Sequence, residues 1–288
     1  MKIVISFCLL LSIVFKSNAQ SDIIYAAAYL NSINGPGYVA PFSDVVSANV
    51  NTQLFPFKRA SKISFHFGVI ASRSIIPESM KIHSGMTIGL DPEQTLDVPT
   101  VFGENKTRLV GDNHNNVYLF PGGFQLSQLT FLVPQISVSG ISNTDFSFRF
   151  FKWNFNDDFE DITLIGGGIR HHLADYLSLP ENLDLSLGYA FNYIQADAKT
   201  IENTSHLIFI ESAYEGSFWR VFGNIAYVSS KVKIDYIDPE TTIQFETGGN
   251  QHFRLGFGGG LDISIFNIST QIDLFSPLTY SGYFGFKF

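Results

Sequence analysis

Cysteine is almost absent: among 288 residues the single one is Cys8, near the N-terminus. The rest of the chain therefore has no disulfide framework, no thiolate metal site and no cysteine nucleophile. Long apolar runs are also scarce. The clearest, residues 3–15, is shorter than the ~20 residues that a membrane helix needs. It follows Lys2 and leads into Ser17-Asn18-Ala19, so residues 1–19 read as a signal peptide cleaved before Gln20. Phe7, just before Cys8, is not the small residue of a lipoprotein cleavage site. Basic charge is in short supply as well. Lys and Arg number 18 against 26 Asp and Glu, a net charge of −8 that loss of Lys2 and Lys16 makes more acidic. Nucleic acid is not the expected partner of such a chain.

Aromatic residues, by contrast, make up 15% of the chain, with 29 Phe. The last eleven residues, 278–288, set Tyr280, Phe284, Phe286 and Phe288 on one face against Ser281, Tyr283, Gly285 and Lys287 on the other. A strand that alternates in this way suits a β-barrel with a lipid-facing exterior and a wetter interior. A terminal Phe on it resembles the C-terminal insertion signal of Gram-negative outer-membrane barrels, which engages the barrel-assembly machinery. The same period of two recurs along the chain. It predicts strands at 46–54, from 63, and at 124–139, 144–153, 160–173, 183–196, 204–215, 218–232, 251–264, 266–275 and 278–288. The first sets Val46, Ala48, Val50 and Leu54 against Ser47, Asn49, Asn51 and Gln53.

Eleven strands conflict with the even number usual for single-chain bacterial barrels. The expectation is therefore an all-β, single closed antiparallel transmembrane barrel of about 12 strands, range 10–14. A missed strand is sought at 86–90 or 241–246, and the N-terminal segment is an alternative occupant of the lumen. Placing Phe288 in the periplasm makes 77–123, 154–159, 197–203 and 233–250 outer loops. Ahead of the barrel, Ile23, Ala26, Ala27, Leu30 and Ile33 fall at helical spacing, with Ser21 as N-cap and Gly35-Pro36-Gly37 as the stop. This predicts a short amphipathic helix that plugs the lumen or packs across its periplasmic mouth. The division is then signal peptide 1–19, helix and lead-in 20–43, barrel 44–288.

Catalytic and metal motifs are not evident. His171 and His172 are neighbours on a predicted strand, so they point to opposite faces and do not jointly grip one metal. His66, His83, His114, His206 and His252 are scattered, and neither HExxH nor GxSxG occurs. Gly166-Gly167-Gly168 and Gly258-Gly259-Gly260 lack the context of phosphate loops and suit bends or inner clearance in a barrel. Asp157-Asp158 and Glu160-Asp161 fall in a predicted outer loop as solvated acids. No cofactor and no metal are expected. Arg149, Arg170, Asp184, Asp262 and Asp273 are assigned to the lumen, because Arg or Lys facing lipid near midplane costs ~2–4 kcal/mol. They either pair for structure or select a solute.

Several segments carry a family resemblance: Asp97-Val98-Pro99-Thr100-Val101-Phe102-Gly103, Phe120-Pro121-Gly122-Gly123, Pro134-Gln135, Thr144-Asp145-Phe146-Ser147-Phe148-Arg149, Gly166-Gly167-Gly168-Ile169-Arg170-His171, and Leu179-Pro180 with Asp184-Leu185-Ser186 and Gly188-Tyr189. They resemble a family of exported bacterial proteins bearing a domain-of-unknown-function label and regarded as outer-membrane barrels. The resemblance implies fold and location, not a substrate. In architecture the chain is also similar to the long-chain fatty-acid outer-membrane transporters, though shorter.

The expected function is passage or binding of small, hydrophobic solutes without catalysis. Phe102, Tyr118 and Phe120, in the aromatic region 98–124, are the candidate gate. The alternatives are a non-transporting structural or interaction barrel and a barrel-embedded lipid-modifying enzyme. The expected partners are outer-membrane lipid and a small hydrophobic solute.

Overall fold

The computed structural model describes residues 33–114, 116–153, 162–196, 200–238, 241–275 and 277–288. The predicted leader, the acid pairs at 157–158 and 160–161, and all of the predicted helix 22–33 except Ile33 lie outside them. The described residues begin with helix α1 (Asn34–Val50), and the chain then descends through 51–63 into β1 (Ser64–Ile75). Two small hairpins follow, β2 (Ile82–Met86) with β3 (Thr95–Pro99) and β4 (Arg108–Gly111) with β5 (Val117–Phe120). The remaining strands are β6 (Gln128–Ile141), β7 (Thr144–Trp153), β8 (Ile162–His172), β9 (Leu183–Ala196), β10 (Ile201–Glu215), β11 (Trp219–Asp238), β12 (Thr241–Gly248), β13 (Phe253–Ile263), β14 (Phe266–Leu274) and β15 (Leu278–Lys287).

Each barrel strand pairs antiparallel with its neighbour, and closure comes from β1 against β15, with Phe67 opposite Phe286. The terminal carbonyl of Phe288 accepts from Phe65 N at 3.0 Å and its N–H returns to Phe65 O at 2.9 Å, so the last residue seals the seam. Ten strand positions close the wall. β12 pairs with the outer half of β11 and β13 with the inner half, so they occupy one position, broken at 249–252. The strand sought at 241–246 is thus the upper part of a wall strand, while 86–90 belongs to the hairpins outside it.

The expected first strand is where the sequence reading fails: Val46 to Val50 is the second half of α1. This removes one strand from the count of eleven and restores the even number. The cause is burial on every side. Val39, Val45, Val46 and Val50 meet an apolar cluster, while Ser43, Ser47 and Asn49 are equally buried against polar wall residues. A helix enclosed all round has no need of one apolar stripe. Gly35-Pro36-Gly37 lies in the first turn of α1, where a Pro forfeits no intrahelical bond. Accordingly the first wall strand starts at Ser64, and helix α1 runs on to Val50.

The exterior bears an apolar belt. Phe65, Phe67, Phe146, Phe148, Ile169, Ile208, Ile225, Phe257, Tyr280, Phe284 and Phe286 are all exposed there, with polar or small residues between them facing inward. That is the arrangement of a transmembrane barrel. Inner glycines make room for rings: a Cβ at Gly188 would stand 2.1 Å from Phe209, and one at Gly258 2.3 Å from Phe222. The β6–β7 pairing is short, and β12 has a ladder partner, β11, on one side only. The β6–β7 pairing ends at Gln135 opposite Arg149, although both strands continue outward.

Candidate functional site

The lumen is occupied. α1 enters at the end away from Phe288, the outer end in the expected orientation, where Asn34 donates to the Tyr118 hydroxyl at 2.8 Å and to Met86 O at 2.9 Å. Small polar side chains then fasten it to the wall. Asn203 donates to Ser43 at 2.9 Å, Ser47 lies 2.9 Å from Ser205, Asn49 donates to Ser74 at 2.8 Å, and Thr52 meets Ser281 at 2.6 Å. Asp44 accepts from Asn250 N and Gln251 N at 3.1 and 3.0 Å, where the wall strand is broken.

Below α1 the predicted inward charges meet the descending backbone. Arg149 donates to Gln135 at 2.7 Å, to Thr52 O at 2.7 Å and to Val50 O. A cation on the last carbonyls of a helix is favourable both as a cap and against the helix dipole. Arg170 bridges Asp145 at 2.7 Å and Glu211 at 2.9 Å, and its guanidinium lies 4.9 Å from the Phe55 ring centre. Arg220 donates to the same Glu211 at 2.6 Å, and both arginines hold the carbonyls of Phe55 and Phe57. His172 lies 2.8 Å from both Asp145 and Asp184. Asp273 faces Arg254 at 2.8 Å, and Asp262, at the periplasmic rim, accepts from Asn267.

Of the five predicted lumen residues, Arg149, Arg170, Asp184 and Asp273 are buried inside the barrel, and Asp262 is half-buried at its rim. Arg170 and Asp184 join one network, whereas Arg149, Asp262 and Asp273 have separate partners. Sequence reasoning named neither Glu211 nor Arg220 nor Arg254. The available signal was the inward register of their strands, with Glu211 two places beyond Phe209 and Arg220 two before Phe222. The network consists of paired groups, and a cavity of about 20 Å³ beside Asn51, Gln53, Arg254 and Asp273 is the size of a water molecule. At the periplasmic mouth, the hydrogen bond from Arg59, with help from Asn143, holds the Asp175 carboxyl below its usual range.

Beside these polar fastenings the outer half holds an apolar cluster. Val39, Phe42, Val46, Phe102, Leu129, Ile194 and Ile201 form one cluster between α1, the 77–123 segment and the wall. A cavity of about 50 Å³ lies among Phe42, Val46, Phe102, Phe131, Ile162 and Ala196. The 77–123 segment, expected as a polar loop, is a folded cap with its own core of Leu90, Val98, Tyr118 and Phe120. Of the three candidate gate aromatics, Phe102 and Phe120 are fully buried and Tyr118 nearly so. Phe102 reaches the lumen cavity, while Tyr118 and Phe120 hold the cap together. At the β4–β5 tip, hydrogen bonds from the Asn116 side chain and from the Asn116 and His114 N–H groups hold Asp112 below the usual carboxylate range.

One arrangement has the outline of hydrolase machinery. His66 lies 3.0 Å from Ser139 Oγ and 2.9 Å from Asn267 Oδ1. All three are buried, and the Phe57 ring stacks on the imidazole at 4.0 Å. The cluster sits in the periplasmic half, under the descending segment, not at the outer rim where a barrel lipase would meet its substrate. His171 faces outward, 2.8 Å from Thr144, and His172 inward, as adjacent strand residues must. Among the described residues no group of three or more His, Cys, Asp or Glu side chains is placed to hold a metal ion.

Several solved barrels are similar in part. The outer-membrane protease OmpT of Escherichia coli matches at 8% identity over 81% of this chain and 98% of its own, with a TM-score of 0.35. The transport unit of the Escherichia coli autotransporter AIDA-I matches at 7% identity, 88% and 98% coverage and TM-score 0.33. The Ralstonia pickettii toluene transporter TbuX matches at 5%, 79% and 89% coverage and TM-score 0.29. No curated protein matches the chain. The family model does, over residues 1–288, and the chain belongs to DUF6588, a family of unknown function.

Proposed function

We propose that this protein is an outer-membrane barrel of a Gram-negative bacterium that binds small hydrophobic molecules in the outer half of its lumen, without catalysis. Residues 1–19 are its cleaved leader. The C-terminal strand, through Tyr280, Phe284, Phe286 and Phe288, addresses it to the barrel-assembly machinery. The observation that carries the reading is the apolar cavity between α1, Phe102 and the wall. The interior of a water-conducting barrel is polar. An apolar lining disfavours ions and favours a ligand that leaves water, at roughly 25 cal/mol per Å² of apolar surface buried. Passage onward requires α1 and the charge network to yield.

The test is a titration of the purified protein with short alkanes and alkyl carboxylates, compared with Ala196→Phe, which fills the cavity. Saturable binding to the wild type, lost in the variant, supports the reading; identical isotherms overturn it. A second reading, a non-transporting structural or interaction barrel, is favoured by the filled, charge-paired periplasmic half. It predicts no binding in either protein and capture of a partner through the cap.

A further inference from the structure

The wall itself offers the cavity a second approach. Strand β6 pairs with β1 up to Gln128 opposite Ile75, and β7 pairs with β8 up to Trp153 opposite Ile162. Between β6 and β7, pairing among the described residues reaches no further outward than Gln135 and Arg149. The next residue of β6 is Pro134, which has no N–H to offer a ladder. From Pro134 to Phe131, opposite 150–153, the unpaired edge runs about 10 Å at ~3.3 Å per residue.

On the lumen side this seam is backed by Leu129 and Phe131 of β6, and both line the apolar cavity. Phe131 and Phe151, one on each edge, are half-buried and pack against the lumen cluster. On the outside, Leu132 and Phe150 are exposed apolar residues of the membrane belt. Two exposed cations stand along its outer part, Lys152 on β7 and Arg73 on β1, the latter donating to Thr130 at 3.2 Å. Cations on the outer face of a barrel are tolerated near the interface and not at midplane. The seam therefore runs up to headgroup level in the outer half of the belt.

We infer that the β6–β7 seam is a lateral entry through which the alkyl chain of an anionic amphiphile passes from the outer leaflet into the apolar cavity. The inference rests on the binding reading above. What meets the opening is hydrocarbon, so the chain is the part that enters; the head stays at the level of Arg73 and Lys152. Phe131 and Phe151 swing as the two leaves of the gate. The anionic head belongs either to a free carboxylic acid or to a phospholipid.

The experiment staples the seam. Pro134→Cys and Phe150→Cys, the next positions beyond the last pair, are introduced together in a Cys8→Ser background. The full chain is folded into phosphatidylglycerol-containing liposomes and then oxidised or bridged with a short bis-maleimide. Two photoreactive probes are delivered from the bilayer: a long-chain diazirine carboxylic acid, and a phospholipid with the diazirine in its acyl chain. Adducts are mapped to Phe102 and Phe131 by mass spectrometry. The expected result is labelling in the reduced protein that falls about tenfold or more on stapling and returns when the disulfide is reduced. Whichever probe shows it identifies the source. Labelling indifferent to the staple overturns the lateral route and leaves the binding reading standing. No cavity adduct in either state overturns both.

Discussion

The two halves of the lumen are filled by opposite means. In the periplasmic half, the backbone of 54–57 is held by Arg170 and Arg220, whose charges are met by Asp145 and Glu211. In the outer half, α1 packs against Phe102, Leu129 and Ile194 and leaves a cavity of about 50 Å³. The lesson is one of reversibility. A buried ion pair is costly to break from one side, since the surviving charge is stranded. An apolar contact can be exchanged for another apolar contact, such as that of a ligand, at little cost. On the proposed function the periplasmic half is therefore the lock and the outer half the site that accommodates a ligand.

The largest effect is expected from breaking the lock. Arg170→Met removes the cation that Asp145 and Glu211 share, leaving them only His172 and Arg220, and should lower stability by about 3 kcal/mol, read by the urea midpoint in liposomes. A change of under ~1 kcal/mol, the range of exposed pairs, would place the network in solvent and erase the contrast. Next comes Phe42→Ala in the outer half. It should cost about 3 kcal/mol, and the enlarged cavity should bind larger alkanes than the wild type. Loss of stability without new binding would count against an adaptable outer half. Smaller still is Ser43→Ala, which leaves Asn203 without its partner and should cost about 1 kcal/mol, again by denaturant midpoint.

The smallest effects concern protons and chemistry. Asp112 is held below its usual range by Asn116 and two N–H groups. Its contribution to the cap tip is thus fully present above about pH 4, the ordinary Asp value, and is lost as pH falls through the lower folded value. Amide exchange at His114 and Asn116 should accelerate only in that acid window, and in Asp112→Ala at every pH. A protection pattern indifferent to acid would contradict the assignment. For the Ser139, His66 and Asn267 cluster, buried beneath Phe57, a fluorophosphonate probe should leave the folded protein unmodified. Labelling at Ser139 would show an enzyme.

Much of the wall was legible because half-buried strands write their faces in alternate residues, as in Leu183 to Tyr193 and again in 278–288. The inward placement of Arg149, Arg170, Asp184 and Asp273 followed from the cost of charge in lipid. What was illegible was whatever is buried on all sides. Residues 46–50 alternate apolar and polar as a strand does, yet they lie in a helix whose two faces meet different walls. The cap looked like a polar loop because its core, Leu90, Val98, Tyr118 and Phe120, is spread over some thirty positions of sequence with no period. The partners of the arginines could be found only with the register, which sets Glu211 opposite Ser186 and Asn224 and within reach of Arg170 and Arg220.

The most direct measurement is ion conductance of the wild-type protein in planar bilayers, made on the same preparation used for alkane binding. The account predicts saturable binding together with no steady conductance, because the outer half takes a ligand while the periplasmic half stays locked. A steady ohmic conductance in the unmodified protein would contradict it.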